Sequence, residues 1–291
     1  GSIIINGIAP QTIYTKLNSN TLAGSTQLVT SHNTGWSVGD QIVIAPTDFY
    51  NAANGNSVSQ LVEINSINQN NISINVGLNA NRWGSLQYVT ANGLSLTPGN
   101  LPIMDTALNG TPLVLDERAL ITNVSRNISI EAPNDALWQQ FGFGVHIMIM
   151  GISSSAKING LQVIRGGQAG IVGRYPIHFH QKSYQSNSFV SDVNGDYLRN
   201  SSIVESSQRG IVIHGTNGLE VKRNIVYNVR GHGVFTEDAV ERRNNIDSNI
   251  VLRVRNPLVN NALKQHEIGG FGSSGFWISN PDNQITNNWA G

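Results

Sequence analysis

The chain has 291 residues, enough to bury a sizeable core, and its 18 basic and 18 acidic side chains cancel. With charged residues at only 12%, it offers no basic field for nucleic acid and no polybasic patch for a membrane surface. It has no cysteine to form a disulfide, and no apolar run approaches the roughly 20 residues of a membrane-spanning helix. A neutral surface rich in Asn, Ser and Gly suits sugars at least as well as proteins.

The opening GSIIING lacks the charged-then-apolar pattern of a signal peptide, and the ending NNWAG stops just after a strand-like run. The chain therefore reads as a piece of something longer, with a signal or anchor outside it. Residues 1–135 carry short, β-branched, period-2 segments such as Gln41–Pro46, Asn71–Leu78 and Asn127–Pro133, bounded by Asn, Gly, Ser and Pro. They predict a smaller β-rich region of antiparallel or mixed strands, with turns at Ser37–Asp40 and in INQNNISI. Ser85–Asn109 has no periodicity and is expected to be a long surface loop. The pair Glu117 and Arg118 is expected at an exposed strand edge.

From about Val145 the pattern becomes a repeat. GRYPIHFH (Gly173–His180), RGIVIHGTNG (Arg209–Gly218), GHGVFTED (Gly231–Asp238) and SGFWISN (Ser274–Asn280) superpose with Pro176, Gly210, Gly233 and Gly275 in one column. A second register puts Ser202, Asn224, Asn249 and Asn288 in another column, with spacings of 22, 25 and 39 residues. Both registers lengthen at the same place, which locates an insertion at about Asn256–Ser274. A period in the low twenties with polar corners and no crossover helices predicts an all-β fold, a right-handed parallel β-helix over 136–291. Equivalent side chains then stack as ladders about 4.8 Å apart, and the Asn column is expected to be one of them.

Alternate residues of a strand share a face. Ile177 and Phe179, Ile211 and Ile213, Val234 and Thr236, and Phe276 and Ile278 are therefore predicted to fill the interior. His178 and His180, Val212 and His214, Phe235 and Glu237, and Trp277 and Ser279 would point outward. Val145, His146 and Ile147 fit the same frame, which would place His146 beside His178. Five of the seven histidines lie between His146 and His232. His32 and His266 lie outside the frame.

His178 and His180 would be about 6.5–7 Å apart along one strand, with His214 about 4.8 Å from His180 on the next. Such imidazoles can converge on a divalent metal ion, zinc, calcium or another, with Glu237 as a further ligand or a general base. Without a metal, the same pairing can do acid–base work near neutral pH. Asp238 is either a second carboxylate of the site or a turn cap, because adjacent strand residues face opposite ways unless the strand ends there. Phe235 and Trp277 are expected to offer an aromatic platform for a sugar ring, and Arg174 either a bidentate partner for a substrate carboxylate or a rim salt bridge. Gly231, His232 and Gly233 are no phosphate loop, since no helix follows.

These motifs in this order, YPIHFH, IHGTNGL, GHGVFTED and FWISNP, resemble the core of the cell-migration-inducing and transmembrane hyaluronidase group, a core also found in fibrocystin-like proteins. GWSVGDQIVIAPTDF is similar to the end of the eight-glycine domain that precedes the β-helix in that group, and the likeness runs from about Thr26 to Gly291. The resemblance implies a β-helix after a β-rich domain, an extracellular or cell-surface location, and cleavage or binding of a polysaccharide, with hyaluronan as the substrate class. The absence of cysteine, the short loop after His180 and the compact insertion depart from the animal pattern and suggest a bacterial relative. The resulting expectation is a monomeric, secreted, metal-dependent glycosidase or lyase with His178, His180, His214 and Glu237 on the metal. Glu237, Asp238 and His214 would be catalytic, and Arg174, Phe235, Trp277 and His146 would bind substrate. The rival readings are a non-catalytic carbohydrate-binding or adhesion module of a larger surface protein, and a structural stalk segment.

Overall fold

The computed structural model describes residues 1–48, 59–97, 103–106, 109–258, 263 and 272–291. They divide into two compact units, one of Gly1–Ile13 with Val124–Gly291 and one of Tyr14–Asn123. Among the described residues no helix is long and apolar enough to cross a membrane.

The larger unit is a parallel β-helix of three sheets. The first runs Ser2–Asn6, Ser155–Asn159, Tyr197–Arg199, Glu220–Lys222, Asn245–Asp247 and Gln284–Thr286. The second runs Ile128–Glu131, Leu161–Gly166, Ser202–Ser206, Ile225–Arg230, Ile250–Arg255 and Trp289–Ala290. The third runs Ile147–Met150, Ile177–His180, Ile211–His214, Val234–Thr236 and Phe276–Trp277. Each rung supplies one short β-branched strand to each sheet and hydrogen-bonds to the rung above and below, so strands too short to stand alone are stabilised by stacking. Ile158, Leu198, Val221 and Ile246 of the first sheet, Val163, Ile203, Val226 and Val251 of the second, and Ile177, Ile211 and Val234 of the third fill one continuous interior.

The corner between the first and second sheets shows how sequence makes the turn. Asn200, Arg223, Ser248 and Asn287 all have left-handed backbones, with φ of 49°, 55°, 58° and 55°. The residue after each is Ser201, Asn224, Asn249 or Asn288. The backbone N–H groups of Ser201, Asn224 and Asn249 donate to the side-chain oxygens of Asn224, Asn249 and Asn288 on the next rung, at 2.9, 3.0 and 2.8 Å. The ladder therefore begins at Ser201. Ser202, which the spacing put in this column, instead lies in register with Ile225. The one-residue slip arises because Ser201 and Ser202 are chemically equivalent in sequence, and only the rung pairing distinguishes them.

The rungs also begin earlier than the repeat in the sequence. Ser2–Asn6 pairs in parallel with Ser155–Asn159, and Ile128–Glu131 with Leu161–Ile164, whereas composition placed all of residues 1–135 in the N-terminal region. Ile3, Ile5, Ile128 and Ile130 pack against the β-helix core, which is what draws these strands onto it. The one helix of the described residues, Ala136–Phe141, is short, with Asp135 accepting from the Trp138 N–H at its start and a left-handed Gly142 at its end.

The smaller unit is antiparallel, one of the two arrangements the segments left open. Its six-stranded sheet is ordered Tyr14–Lys16, Leu120–Asn123, Gln41–Ile44, Gln60–Asn68, Asn71–Ile74, Gln27–Val29. Its own core contains Leu17, Leu28, Trp36, Ile42, Ile44, Ile64, Ile72 and Ile121. The Ser37–Asp40 turn is closed by the Asp40 carboxylate, which accepts from the Ser37 N–H at 2.9 Å. Ser85–Asn109 is more structured than a loop: Gln87–Thr90, Gly93–Ser95 and Met104–Asp105 are strands, while 98–102, 107 and 108 lie outside the described residues. Arg118 forks onto Asp116, and Glu117 accepts from Gln87 at 2.8 Å. The expected insertion falls between Ile250–Arg255 and Phe276–Trp277, and its residues 259–262 and 264–271, His266 among them, lie outside the described residues.

Candidate metal centre

The third sheet carries the site. Ile177, Ile211, Val234 and Phe276 are in register, and His178, Val212, Phe235 and Trp277 form the next column. Phe179, Ile213 and Thr236 follow, and His180 pairs with His214. The inward and outward columns are those the period-2 pattern predicts.

Outward does not mean solvent-facing here. Tyr175, Val212 and Phe235 are each 0% exposed and form a second apolar cluster, against which Trp277 packs. The buried Arg209 guanidinium lies 4.9 Å from the Tyr175 ring and 4.4 Å from the Phe235 ring. The His232 ring stacks on Phe235 at 5.0 Å and sits 4.8 Å from Trp277. Phe235 therefore has no face left for a sugar, which corrects its expected role as a platform; Trp277 is half-buried.

Beyond this apolar cluster the three histidines converge. Their rings lie 4.9 Å (His178–His180), 5.7 Å (His178–His214) and 4.6 Å (His180–His214) apart, centre to centre. One nitrogen from each can be chosen so that all three lie within 4.8 Å of one another. His178 Nδ1 lies 2.9 Å from the Gly173 carbonyl, which can only accept, so Nδ1 carries the proton and Nε2 the lone pair. That Nε2 is buried and has no hydrogen-bond partner. An orphaned acceptor in an apolar site costs about 1–3 kcal/mol, so such an atom marks a missing partner. Burial, with the neighbouring imidazoles, drives His178 down to a pKa of about 3 and lowers His180 as well, so His178 stays neutral and able to ligate.

His214 is fixed by its second nitrogen. Its Nε2 donates to Asp238 Oδ2 at 2.7 Å, while its Nδ1 lies 2.9 Å from His180 Nδ1 and 3.6 Å from Glu237 Oε2. A carboxylate on the far nitrogen of an imidazole is the support that metal-binding histidines usually have. Glu237 and Asp238 can both reach His214 because the strand ends at Thr236, which releases them from alternation. Glu237 is 5% exposed and stands beside the converging set, which comprises the three histidines.

His146 is not beside His178. Ile147 pairs with Ile177, Met148 with His178 and Met150 with His180, a register two residues away from the one the Val-His-Ile pattern suggested. His146 is exposed, and Pro176, rather than His178, lies at its level. A run of alternating apolar residues, Val145, Ile147 and Ile149, supports either register equally. Arg174 is exposed, and its guanidinium donates to the Gln168 side chain at 2.6 Å.

One participant escaped the sequence reading. Glu241, 0% exposed, accepts from the Gly215 N–H at 2.8 Å and from the Asp238 N–H at 3.2 Å. It ties the residue after His214 to the residue that orients His214, and burial raises its pKa. The Asp-x-x-Glu spacing of Asp238 and Glu241 is that of a helix capping box, and here the same reach-back occurs without a helix.

The family model described as CEMIP beta-helix matches residues 142–291. Fibrocystin-L of Mus musculus is 26% identical over 332 residues, covering 100% of this chain and 7% of its own length. A G8 domain-containing protein of Dictyostelium discoideum is 26% identical over 250 residues, covering 86% of this chain and 14% of its own. The chain thus spans a small part of these relatives. The tailspike protein gp49 of Pseudomonas phage LKA1 overlaps 98% of this chain and 38% of its own, with 12% identity and a TM-score of 0.27, too low to carry an argument.

Proposed function

This chain belongs to the CEMIP β-helix family, and on that premise we propose that it is an extracellular enzyme cleaving an acidic or amino-sugar polysaccharide of the hyaluronan type. His178, His180 and His214 would hold a divalent cation through the nitrogens that converge on the outer face of the third sheet. The observation that carries this reading is His178 Nε2, a lone pair that is buried, neutral and unpartnered beside two other imidazoles. The donor set, three nitrogens with a buried carboxylate nearby, suits a borderline ion such as zinc better than an oxygen-seeking one such as calcium. Such a cation supplies Lewis-acid polarisation of a substrate carboxylate or glycosidic oxygen.

The chain's own residues have distinct tasks. The Gly173 carbonyl and Asp238 orient His178 and His214 through their remaining nitrogens. Glu237, buried and unconstrained by strand alternation, is the group placed to hold or move a proton at Oε2. The wall of Tyr175, Val212 and Phe235 excludes water from the back of the histidines, and the burial keeps His178 neutral.

Turnover of hyaluronan by the zinc-loaded chain, followed by the appearance of reducing ends or of unsaturated uronate absorbance, tests this function. Cleavage that His214→Ala abolishes, with the fold intact by circular dichroism, is the expected result. Binding of the glycan with no product from the loaded wild type would favour a carbohydrate-binding module instead.

A further inference from the structure

Some arginines of the β-helix are paired with carboxylates. Arg199 forks onto Glu220, Arg243 meets Asp192, and Arg165 reaches Glu131 at 3.3 Å. Arg230, Arg253 and Arg255 differ in that they cluster with one another. Arg230 and Arg255 occupy the same register position on adjacent strands of the second sheet, so two guanidinium stems stack about 4.8 Å apart. Arg253 joins them because a left-handed backbone, φ 61°, interrupts alternation just before Val254 turns into the core.

Among the described residues no carboxylate lies within ion-pair distance of these three groups, and their polar side-chain contacts are few. Arg230 Nη1 donates to the Asn256 carbonyl at 2.9 Å, and Arg255 Nε is buried with no acceptor. Glu205 is the carboxylate whose field reaches Arg255, and its own Oε1 already accepts from Asn228 at 3.4 Å. Burial first, then the neighbouring guanidiniums, lowers Arg255 to about 10 and also lowers Arg230. Like charges stacked across strands are destabilising, and a buried donor without an acceptor adds to that cost.

We propose that Arg230, Arg253 and Arg255 form an anion-binding site that takes the carboxylate or sulfate groups of an acidic polysaccharide. A planar oxyanion satisfies what the cluster lacks, since guanidinium forks bind such groups in pairs of hydrogen bonds. Ile225–Arg230 runs through Gly231–Gly233 directly into Val234–Thr236, the strand that delivers Glu237 to the histidines. A glycan crossing that corner touches both places, so the arginines grip the chain away from the bond that is cut. The neutral charge balance of the protein argues against nucleic acid as the polyanion. That the polyanion is a glycan rests on the function proposed above, whereas the anion site itself does not.

Calorimetric titration of the full chain with a hyaluronan decasaccharide, with maltodecaose and with sodium sulfate tests the inference. The decasaccharide is expected to bind at low salt, to weaken as NaCl is raised, and to lose tenfold or more in affinity in both Arg255→Ala and Arg255→Gln. Arg255→Gln keeps part of the packed stem should the alanine variant unfold. The titrations are made on the chelator-treated, metal-free chain, in which the loss in Arg255→Gln is expected all the same, and this separates the site from the proposed catalytic one. Equal affinity in the arginine variants, or equal binding of maltodecaose, would overturn the proposal. Sulfate binding without decasaccharide binding would overturn the glycan assignment, and absence of turnover with arginine-dependent binding intact would sink the enzymatic reading alone.

Discussion

His180 and His214 sit at the same register position on adjacent rungs, with their Nδ1 atoms 2.9 Å apart. Two neutral imidazoles can meet this way only if one donates. Because Asp238 takes the Nε2 proton of His214, His180 must be that donor. The pair is thus held by a proton at the place where two lone pairs could meet a cation, with the unpartnered Nε2 of His178 close by.

The Asp238 carboxylate fixes this arrangement from outside. Asp238→Asn should weaken zinc binding by about 10–100-fold while leaving the melting temperature of the metal-free protein little changed, since Asp238 is exposed. Chelator competition on the two proteins reads the difference. Equal affinities would mean that Asp238 is only a turn residue.

Acid should destabilise the metal-free protein through His178. Its folded pKa of about 3 lies below the ordinary 6.5, so between those values the unfolded chain binds a proton that the native state does not. Stability contributed by the neutral ring is therefore present above pH 6.5 and lost as pH falls toward 3, by at most about 1.4 kcal/mol per pH unit. His180 is lowered in the same direction. Urea midpoints measured from pH 7.5 to 4.5 should fall, and His178→Asn should flatten part of that slope. A midpoint independent of pH would contradict the burial of a neutral ring.

Phe235→Ala should act on stability rather than directly on glycan recognition. The side chain is 0% exposed between Arg209 and His232, and removal of a buried phenylalanine costs about 3–5 kcal/mol. A variant that unfolds at much lower urea is expected. One that kept its stability and lost only glycan affinity would restore the platform reading.

The asparagine ladder should be comparably costly to break. Asn249 accepts from the Asn224 N–H and donates to the Val221 carbonyl, both buried, at 3.0 and 2.8 Å. Asn249→Ala orphans both groups at about 1–3 kcal/mol each. Thermal unfolding should shift down by several degrees, with the far-ultraviolet spectrum unchanged.

The third sheet was legible in the sequence because its period-2 strands recur behind a shared glycine or proline, and that register places Ile177, Ile211, Val234 and Phe276 in one column. The pairing of His180 with His214 follows from it. What failed did so where periodicity has no information. Alternation separates inside from outside but cannot see a second layer, so it exposed Phe235, which Tyr175 and Arg209 cover. It is blind to a shift of two residues, hence His146. Ser2–Asn6 could not be seen as a rung because about 150 residues separate it from Ser155–Asn159, the strand that pairs with it. The role of Asp238 depended on where one strand stopped, and Glu241 on a backbone contact with no recurring signature.

The central claim is that the three histidines are a ligand set, and elemental analysis of the purified chain by mass spectrometry tests it most directly. Near-stoichiometric zinc, or another divalent ion, is expected in the wild type after loading and desalting. It should be lost in His180→Ala and in His214→Ala, each folded by circular dichroism. No retained metal in the wild type, or metal retained equally in both variants, would contradict it.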